Sequence, residues 1–192
     1  QDKTAMKMLY DRYVGYLTAV CARYIPDDDE VKDILQEAFI KAFQALGKSG
    51  LLPYGKTGSV TPESPTLFRN DINRHISLIA TTEVASVNSP WLAGLSIGEK
   101  HSIAFSHGEG KFVVDETLAR ELFARGQVAF RYVDNPNGSH YDIEGILSPD
   151  GHILGKMGHT ERFEENLYKN IGGNCSQPLF QNAVNYFRKI CQ

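Results

Sequence analysis

Residues 150–162 read Asp150-Gly-His-Ile-Leu-Gly-Lys-Met-Gly-His-Thr-Glu-Arg162. The run from Asp150 to Met157 has the look of a strand entered through an Asp-Gly turn, and His159-Thr-Glu161 stands at its tip. In an extended segment residues i and i+2 point the same way. A carboxylate at 161 can therefore hold an imidazole at 159 in one tautomer while the imidazole takes a proton from a nucleophile. The spacing supplies two-thirds of a catalytic triad on the end of a strand, and the rest of the chain must supply the sheet and the third member.

Outward from this stretch, short apolar runs bounded by turn residues recur through the second half. They are Ile76–Ala80, His101–Phe105, Gln127–Val133, Asp142–Leu147 and His152–Lys156, with Asn135-Pro-Asn-Gly138 and Pro149-Asp-Gly151 as tight turns. Helices are expected over Asp115–Arg125, with Asp115 as cap, and over Gln177–Lys189. Residues 51–65, rich in Gly, Pro, Ser and Thr, read as a loop.

The first 48 residues have a different periodicity. From Met6 to Tyr24 the apolar residues Met6, Leu9, Tyr10, Tyr13, Leu17, Val20, Cys21 and Tyr24 recur at steps of three and four, as on one face of a helix. Pro26 breaks that pattern, and Asp27-Asp-Asp29 can cap a second helix carrying Val31, Ile34, Leu35, Ala38, Phe39, Ala42, Phe43 and Leu46 on one stripe. Gly47 or Gly50 can end it. Burying that stripe contributes about 1.5–3 kcal/mol for each large side chain.

A net charge of −3 over 192 residues gives no general drive toward nucleic acid or anionic membrane. No apolar run approaches the roughly 18 residues of a spanning helix, and Gln1-Asp-Lys-Thr-Ala-Met-Lys7 lacks a secretory apolar core. The cysteines Cys21, Cys175 and Cys191 have no metal-site spacing and no histidine pair nearby. Free thiols in a reducing cytoplasm are expected, with no metal and no cofactor. His75, His101, His140 and His152 are isolated and read as non-ligands.

With these pieces in place, the second half resembles the class I glutaminase domain of phosphoribosylformylglycinamidine synthases. The resemblance rests on Lys48-Ser-Gly-Leu-Leu-Pro-Tyr-Gly55, Asn88-Ser-Pro-Trp-Leu-Ala-Gly94, Ser106-His-Gly-Glu-Gly110, Gln127–Asp134, Asn135-Pro-Asn-Gly-Ser139 and Gly155–Arg162, in the family's order over about residues 43–190. It implies a flavodoxin-like α/β fold and hydrolysis of glutamine through a thioester, which delivers ammonia to a synthetase. It also implies His159 as base and Glu161 as its orienter, with His107, Glu109, Asn88 and Ser89 near the glutamine. The family's cysteine sits on a strand-to-helix elbow in a Gly-x-Cys-Asn-Gly pattern just before Phe-Gln-x-Leu. Here Phe43-Gln-Ala-Leu46 is preceded by Ala38-Phe-Ile-Lys-Ala42, so Ile40 occupies the nucleophile's position and the glycines of the elbow are absent.

The segment before the join is similar to the start of region 2 of extracytoplasmic-function sigma factors, over about residues 3–46. Leu9-Tyr-Asp-Arg-Tyr13, Cys21-Ala-Arg-Tyr24 and Asp33-Ile-Leu-Gln-Glu-Ala-Phe-Ile-Lys-Ala-Phe43 carry that likeness. In that family the Asp-Ile-Leu-Gln-Glu helix docks on RNA polymerase, which implies Asp33, Gln36 and Glu37 as polymerase-binding residues.

The expectation is then an α/β chain of two parts. Residues 1–48 form a sigma-like helical hairpin, packed on a partial mixed sheet of glutaminase descent in residues 49–192. Its exposed strand edges favour a homodimer. As written it lacks the nucleophile and is expected to be an inactive chimera of a purine-pathway amidotransferase, with glutamine as ligand of any surviving pocket. The alternatives are a module that binds RNA polymerase core, or a recombination of two folds with no evolved function.

Overall fold

The structure is a computed structural model and describes residues 47–163 and 167–190. The helical hairpin, Asp33, Gln36, Glu37 and Ile40 lie outside the described residues. After helical residues 47–49, the described residues hold seven strands and two helices in chain order: β1 Thr66–Phe68, β2 Ile76–Val84, β3 Lys100–His107, β4 Lys111–Val113, α1 Glu116–Ala124, β5 Val128–Tyr132, β6 Ile143–Leu147, β7 Leu154–Lys156 and α2 Leu179–Ile190. Single 3-10 turns occupy Pro90–Leu92, His140–Asp142 and Thr160–Arg162.

Five strands form one sheet in the order β3-β2-β5-β6-β7, and β1 and β4 pair as a separate ribbon. Every ladder between these strands is antiparallel. The parallel component of the expected mixed sheet is limited, among the described residues, to the bridge between His101 and Asn174. The connections explain this: β6 and β7 are joined by a tight turn, with Gly151 N–H on the Ser148 carbonyl at 2.9 Å and Gly151 at φ 72°. A turn of that length permits only an antiparallel return.

Successive strand residues send side chains to opposite faces, and two of the three hydrophobic clusters among the described residues take in the helices. Val128 and Ile146 join Ala119 and Leu122 of α1 in one, while Ala129 and Leu147 join Leu179 of α2 in the other. Helices thus cover both faces of the sheet, which is the α/β layering the sequence implied. The β5–β6 register slips around Phe130, and Ala129 and Phe130 both enter the second cluster.

The ends of the helices follow from local chemistry. Asp115 accepts hydrogen bonds from Thr117 N–H at 2.8 Å and Leu118 N–H at 3.0 Å, and α1 stops before Gly126, whose φ is 66°. Asp115→Ala is expected to lower the stability of the chain by about 0.5–2 kcal/mol, read as a lower urea midpoint at unchanged slope. Helix α2 sits on the Pro90–Leu92 turn, with Asn182 Nδ2 donating to the Trp91 carbonyl at 3.1 Å and Phe180 edge-on to the Trp91 ring.

Two sheet edges bear on the site. The outer edge of β3 takes Ser102 N–H to the Asn174 carbonyl and His159 N–H to the Ala104 carbonyl, each at 2.8 Å. Along β2, β5 pairs only with Thr82–Val84. Among the described residues Ile76–Ala80 therefore has a ladder on one side only, with Leu78 exposed.

Candidate functional site

β3 and the segment after β7 converge where His159 N–H meets the Ala104 carbonyl. His159 and Glu161 are brought together: Nδ1 lies 2.7 Å from Glu161 Oε1, with the imidazole side chain 6% and the carboxylate 32% exposed. The route differs from the expectation that both residues stand on one extended strand. β7 ends at Lys156, and Thr160–Arg162 is a 3-10 turn. His159, at φ −91° and ψ 84°, opens that turn, and the curl of the chain rather than strand alternation returns Glu161 to the ring. Just past the strand Met157 N–H still reaches the Glu144 carbonyl at 3.1 Å, and the donor after it, Gly158 N–H, is taken by the Glu144 side chain at 2.5 Å.

Burial by itself would raise the Glu161 carboxyl. The hydrogen bond and charge of His159, with Lys156 nearby, outweigh it and hold Glu161 below its ordinary range. A carboxylate kept ionised at Nδ1 fixes the tautomer in which Nε2 is the basic nitrogen. Nε2 is buried and has no hydrogen-bond partner among the described residues.

His107 closes β3 and is fully buried. Its ring lies 3.8 Å, centroid to centroid, from that of Phe105, and neither ring nitrogen has a hydrogen-bond partner among the described residues. Burial, then repulsion from His159 and from His75, pushes its pKa down to about 3. The ring fits only because residue 110 is glycine: a Cβ there would stand 2.0 Å from His107 Cε1. Asn70, buried, donates from Nδ2 to the His107 carbonyl at 2.6 Å and to the Arg74 carbonyl at 3.0 Å.

The remaining site residues are not all brought to this place. Glu109 is exposed and pairs with Arg69 at 3.6 Å. Asn88 and Ser89 follow the far end of β2, since Ile76 pairs with His107 and Glu83 with Lys100 at opposite ends of the ladder. Ser89 Oγ donates to the Gly151 carbonyl at 2.7 Å and accepts from Trp91 N–H at 3.2 Å. The Asn88 amide packs against Gly126, where a Cβ would meet its Nδ2 at 2.3 Å. These side chains hold turns in place and lie apart from His159.

The four isolated histidines each have a local contact: His75 with Ser106 Oγ at 3.0 Å, His101 with Glu99 at 3.1 Å, His140 with the Val114 carbonyl at 2.9 Å, and His152 with Asp150 at 3.1 Å. Among the described residues no group of three or more His, Cys, Asp or Glu side chains is placed to hold a metal ion, and no helix is long and apolar enough to cross a membrane. Cys175 is a free thiol. It makes no hydrogen bond to His159, whose Nδ1 is held by Glu161 and whose Nε2 has no partner. Cys21 and Cys191 lie outside the described residues.

Sequence reasoning passed over Glu144 and Lys156. Glu144 is buried on β6, and its Oε1 lies 3.2 Å from Lys156 Nζ on β7. The signal was a charged residue inside each of two apolar strand runs.

Against this geometry the comparisons can be set. Residues 32–187 match the CobB/CobQ-like glutamine amidotransferase domain. The chain belongs to that family. Residues 9–49 match Sigma-70 region 2, so the two matches overlap over residues 32–49. The amidotransferase part is 36% identical over 144 residues to phosphoribosylformylglycinamidine synthase subunit PurQ of Alkaliphilus metalliredigens, covering 75% of this chain and 58% of that protein. The PurQ subunit of Nostoc sp. is 34% identical over 179 residues, covering 90% of this chain and 74% of that one. Among solved structures, PurLQS from Thermotoga maritima superposes with a TM-score of 0.59 at 30% identity, covering 76% of this chain and 58% of its own. The chain therefore spans somewhat more than half of the Alkaliphilus and Thermotoga proteins, and this amidotransferase domain is similar to the PurQ subunit of a purine-pathway synthase.

Proposed function

We propose that this amidotransferase chain retains the proton-handling pair of a glutaminase and does not itself turn over glutamine. The observation that carries the reading is the His159–Glu161 hydrogen bond at 2.7 Å, which leaves Nε2 as the nitrogen free to act as base. In the reaction the likeness implies, that nitrogen takes the proton of a thiol as sulfur attacks the amide carbon of glutamine. The same proton then goes to the departing ammonia, and water later cleaves the thioester. Residue 40 is isoleucine, which has neither a proton to give nor a lone pair to attack. Loss of a triad nucleophile lowers the rate on the order of a millionfold. In this proposal His107 backs the ring of His159 without touching substrate, and Glu109 is the residue with access to a ligand.

The test is ammonia release from glutamine by the purified chain, coupled to glutamate dehydrogenase, with labelling by a glutamine-directed chloroketone read by mass. The expected result is no ammonia above a His159→Ala variant and no adduct. Ammonia that disappears in His159→Ala would overturn the proposal.

The names of the PurQ relatives and of the Thermotoga assembly support a cytoplasmic setting and a place beside other synthase subunits. The one-sided ladder of Ile76–Ala80 on β2 supports self-association, and sedimentation at micromolar concentration reads it as a dimer. A second reading has its own observation, the Sigma-70 region 2 match over residues 9–49. It makes the chain a ligand of RNA polymerase core through Asp33, Gln36 and Glu37. Retention of the chain on polymerase, lost in Asp33→Arg and Gln36→Arg, supports that reading, and no retention of the wild type removes it. The overlap of the two matches also supports descent by recombination, for which cooperative unfolding without any ligand response is the expected sign.

A further inference from the structure

We propose that the buried Glu144–Lys156 pair is a positioning device: it clamps Gly158 and thereby sets the hydrogen bond between His159 and Glu161. The inference rests on the reading of those two residues as a proton-handling pair. Both backbone groups of Gly158 are held by the ions. Its N–H donates to Glu144 Oε1 at 2.5 Å, and its carbonyl accepts from Lys156 Nζ at 2.6 Å. The carboxylate and ammonium lie 3.2 Å apart, with the Glu144 side chain 0% and the Lys156 side chain 11% exposed. The far half of the peptide group that carries the Gly158 carbonyl is held as well, by His159 N–H on the Ala104 carbonyl at 2.8 Å. Three anchors on consecutive backbone groups leave the chain little freedom at the point where it delivers the imidazole.

The steric setting agrees. A Cβ on Gly158 would stand 2.8 Å from Glu144 Oε1, 3.0 Å from Ile103 Cγ2 and 3.1 Å from Lys156 Nζ, so any side chain there displaces the ions that form the clamp. The Lys156 ammonium lies over the Phe130 ring, 5.4 Å from its centroid, which fixes the lysine from the other side. Stability alone is a poor reason for such a pair, because apolar residues of similar volume usually serve a buried ion pair's place as well or better. Among the described residues Glu144 Oε2 and the Tyr132 hydroxyl beside it are buried with no hydrogen-bond partner, a cost that fits a device kept for geometry. Lys156 also reaches Glu161 electrostatically and helps keep that carboxyl ionised.

The test is proton and nitrogen NMR of the His159 side chain in the full chain, assigned by its loss in His159→Ala. The expected wild-type signature is a slowly exchanging, downfield Nδ1–H resonance that disappears in Glu161→Ala. The double variant Glu144→Leu/Lys156→Met removes both charges together and is expected to keep the wild-type melting midpoint or exceed it, yet lose that resonance. Gly158→Ala leaves both charges in place, drives a Cβ into the carboxylate, and is expected to give the same loss. Persistence of the resonance in either folded variant, with loss in Glu161→Ala, overturns the clamp and leaves the His159–Glu161 pair standing. Persistence in Glu161→Ala, or absence from the wild type, overturns the pair and the clamp with it.

Discussion

Acidification from pH 6.5 to about 3 is expected to weaken the folded chain by roughly 1.4 kcal/mol per pH unit through His107 alone. The ring is 1% exposed, has no hydrogen-bond partner on either nitrogen among the described residues, and is pushed down to about 3 by burial and by the neighbouring His159 and His75. In the unfolded chain the same ring titrates near 6.5. Between these values the unfolded state holds a proton that the folded state refuses, so stability rises with pH. The contribution is fully present above 6.5, is lost as pH falls, and levels off below about 3, after a cumulative loss of roughly 4–5 kcal/mol. His101, also lowered chiefly by burial, acts in the same direction. Glu161 and Asp150, both held below their ordinary range, add a further loss in stronger acid. Urea titrations at stepwise pH would read the slope directly. His107→Asn is expected to destabilise the chain at neutral pH by leaving space beside Phe105, and to flatten the acid slope by the full amount per unit. Equal slopes in the two proteins would mean that the ring takes up its proton without opening the core.

How far the chain can be read from its sequence depends on which force sets each feature. The long strands were legible because burial on a pleated sheet leaves apolar runs between turn residues: His101–Phe105 became β3 and Gln127–Val133 became β5. Asp115 was legible as a cap because a side-chain acceptor at that position serves donors that have no other partner. The end of β2 was not. The apolar run ends at Ala80, yet the ladder continues to Val84, and Thr82 is fully buried, with Gln177 Nε2 at 3.5 Å from its hydroxyl. β1 and β4, three residues each, are too short to carry a period. The His159–Glu161 contact was legible from spacing while its geometry was not, because the turn depends on Glu144, remote in sequence and hydrogen-bonded to Gly158. The separation of Asn88 and Ser89 from His107 was equally hidden, since it follows from strand register and not from any local pattern.

Lys156→Met is expected to cost about 3–5 kcal/mol, while Glu144→Leu/Lys156→Met is expected to cost little or to stabilise. The single change leaves the Glu144 carboxylate at 0% side-chain exposure without its cation, and with Oε2 already lacking a partner. What remains is the Gly158 N–H at 2.5 Å, one neutral donor for a full charge. Methionine matches the lysine stem in length and can set a thioether against Phe130 in place of the ammonium, so lost packing is a small part of the difference. In the double variant the uncompensated charge is gone, and two apolar side chains fill the same space between β6 and β7. Gly158 N–H then loses its acceptor, which sets a residual penalty of about 1–3 kcal/mol against the gain from removing two buried ions. The quantity to measure is the coupling in a double-mutant cycle by urea unfolding: a single Lys156→Met as stable as the double variant would mean that Glu144 is reached by water in the folded state. A large coupling would show that the two charges are retained for each other. That leaves the placement of His159, and not the stability of the fold, as the reason either is there.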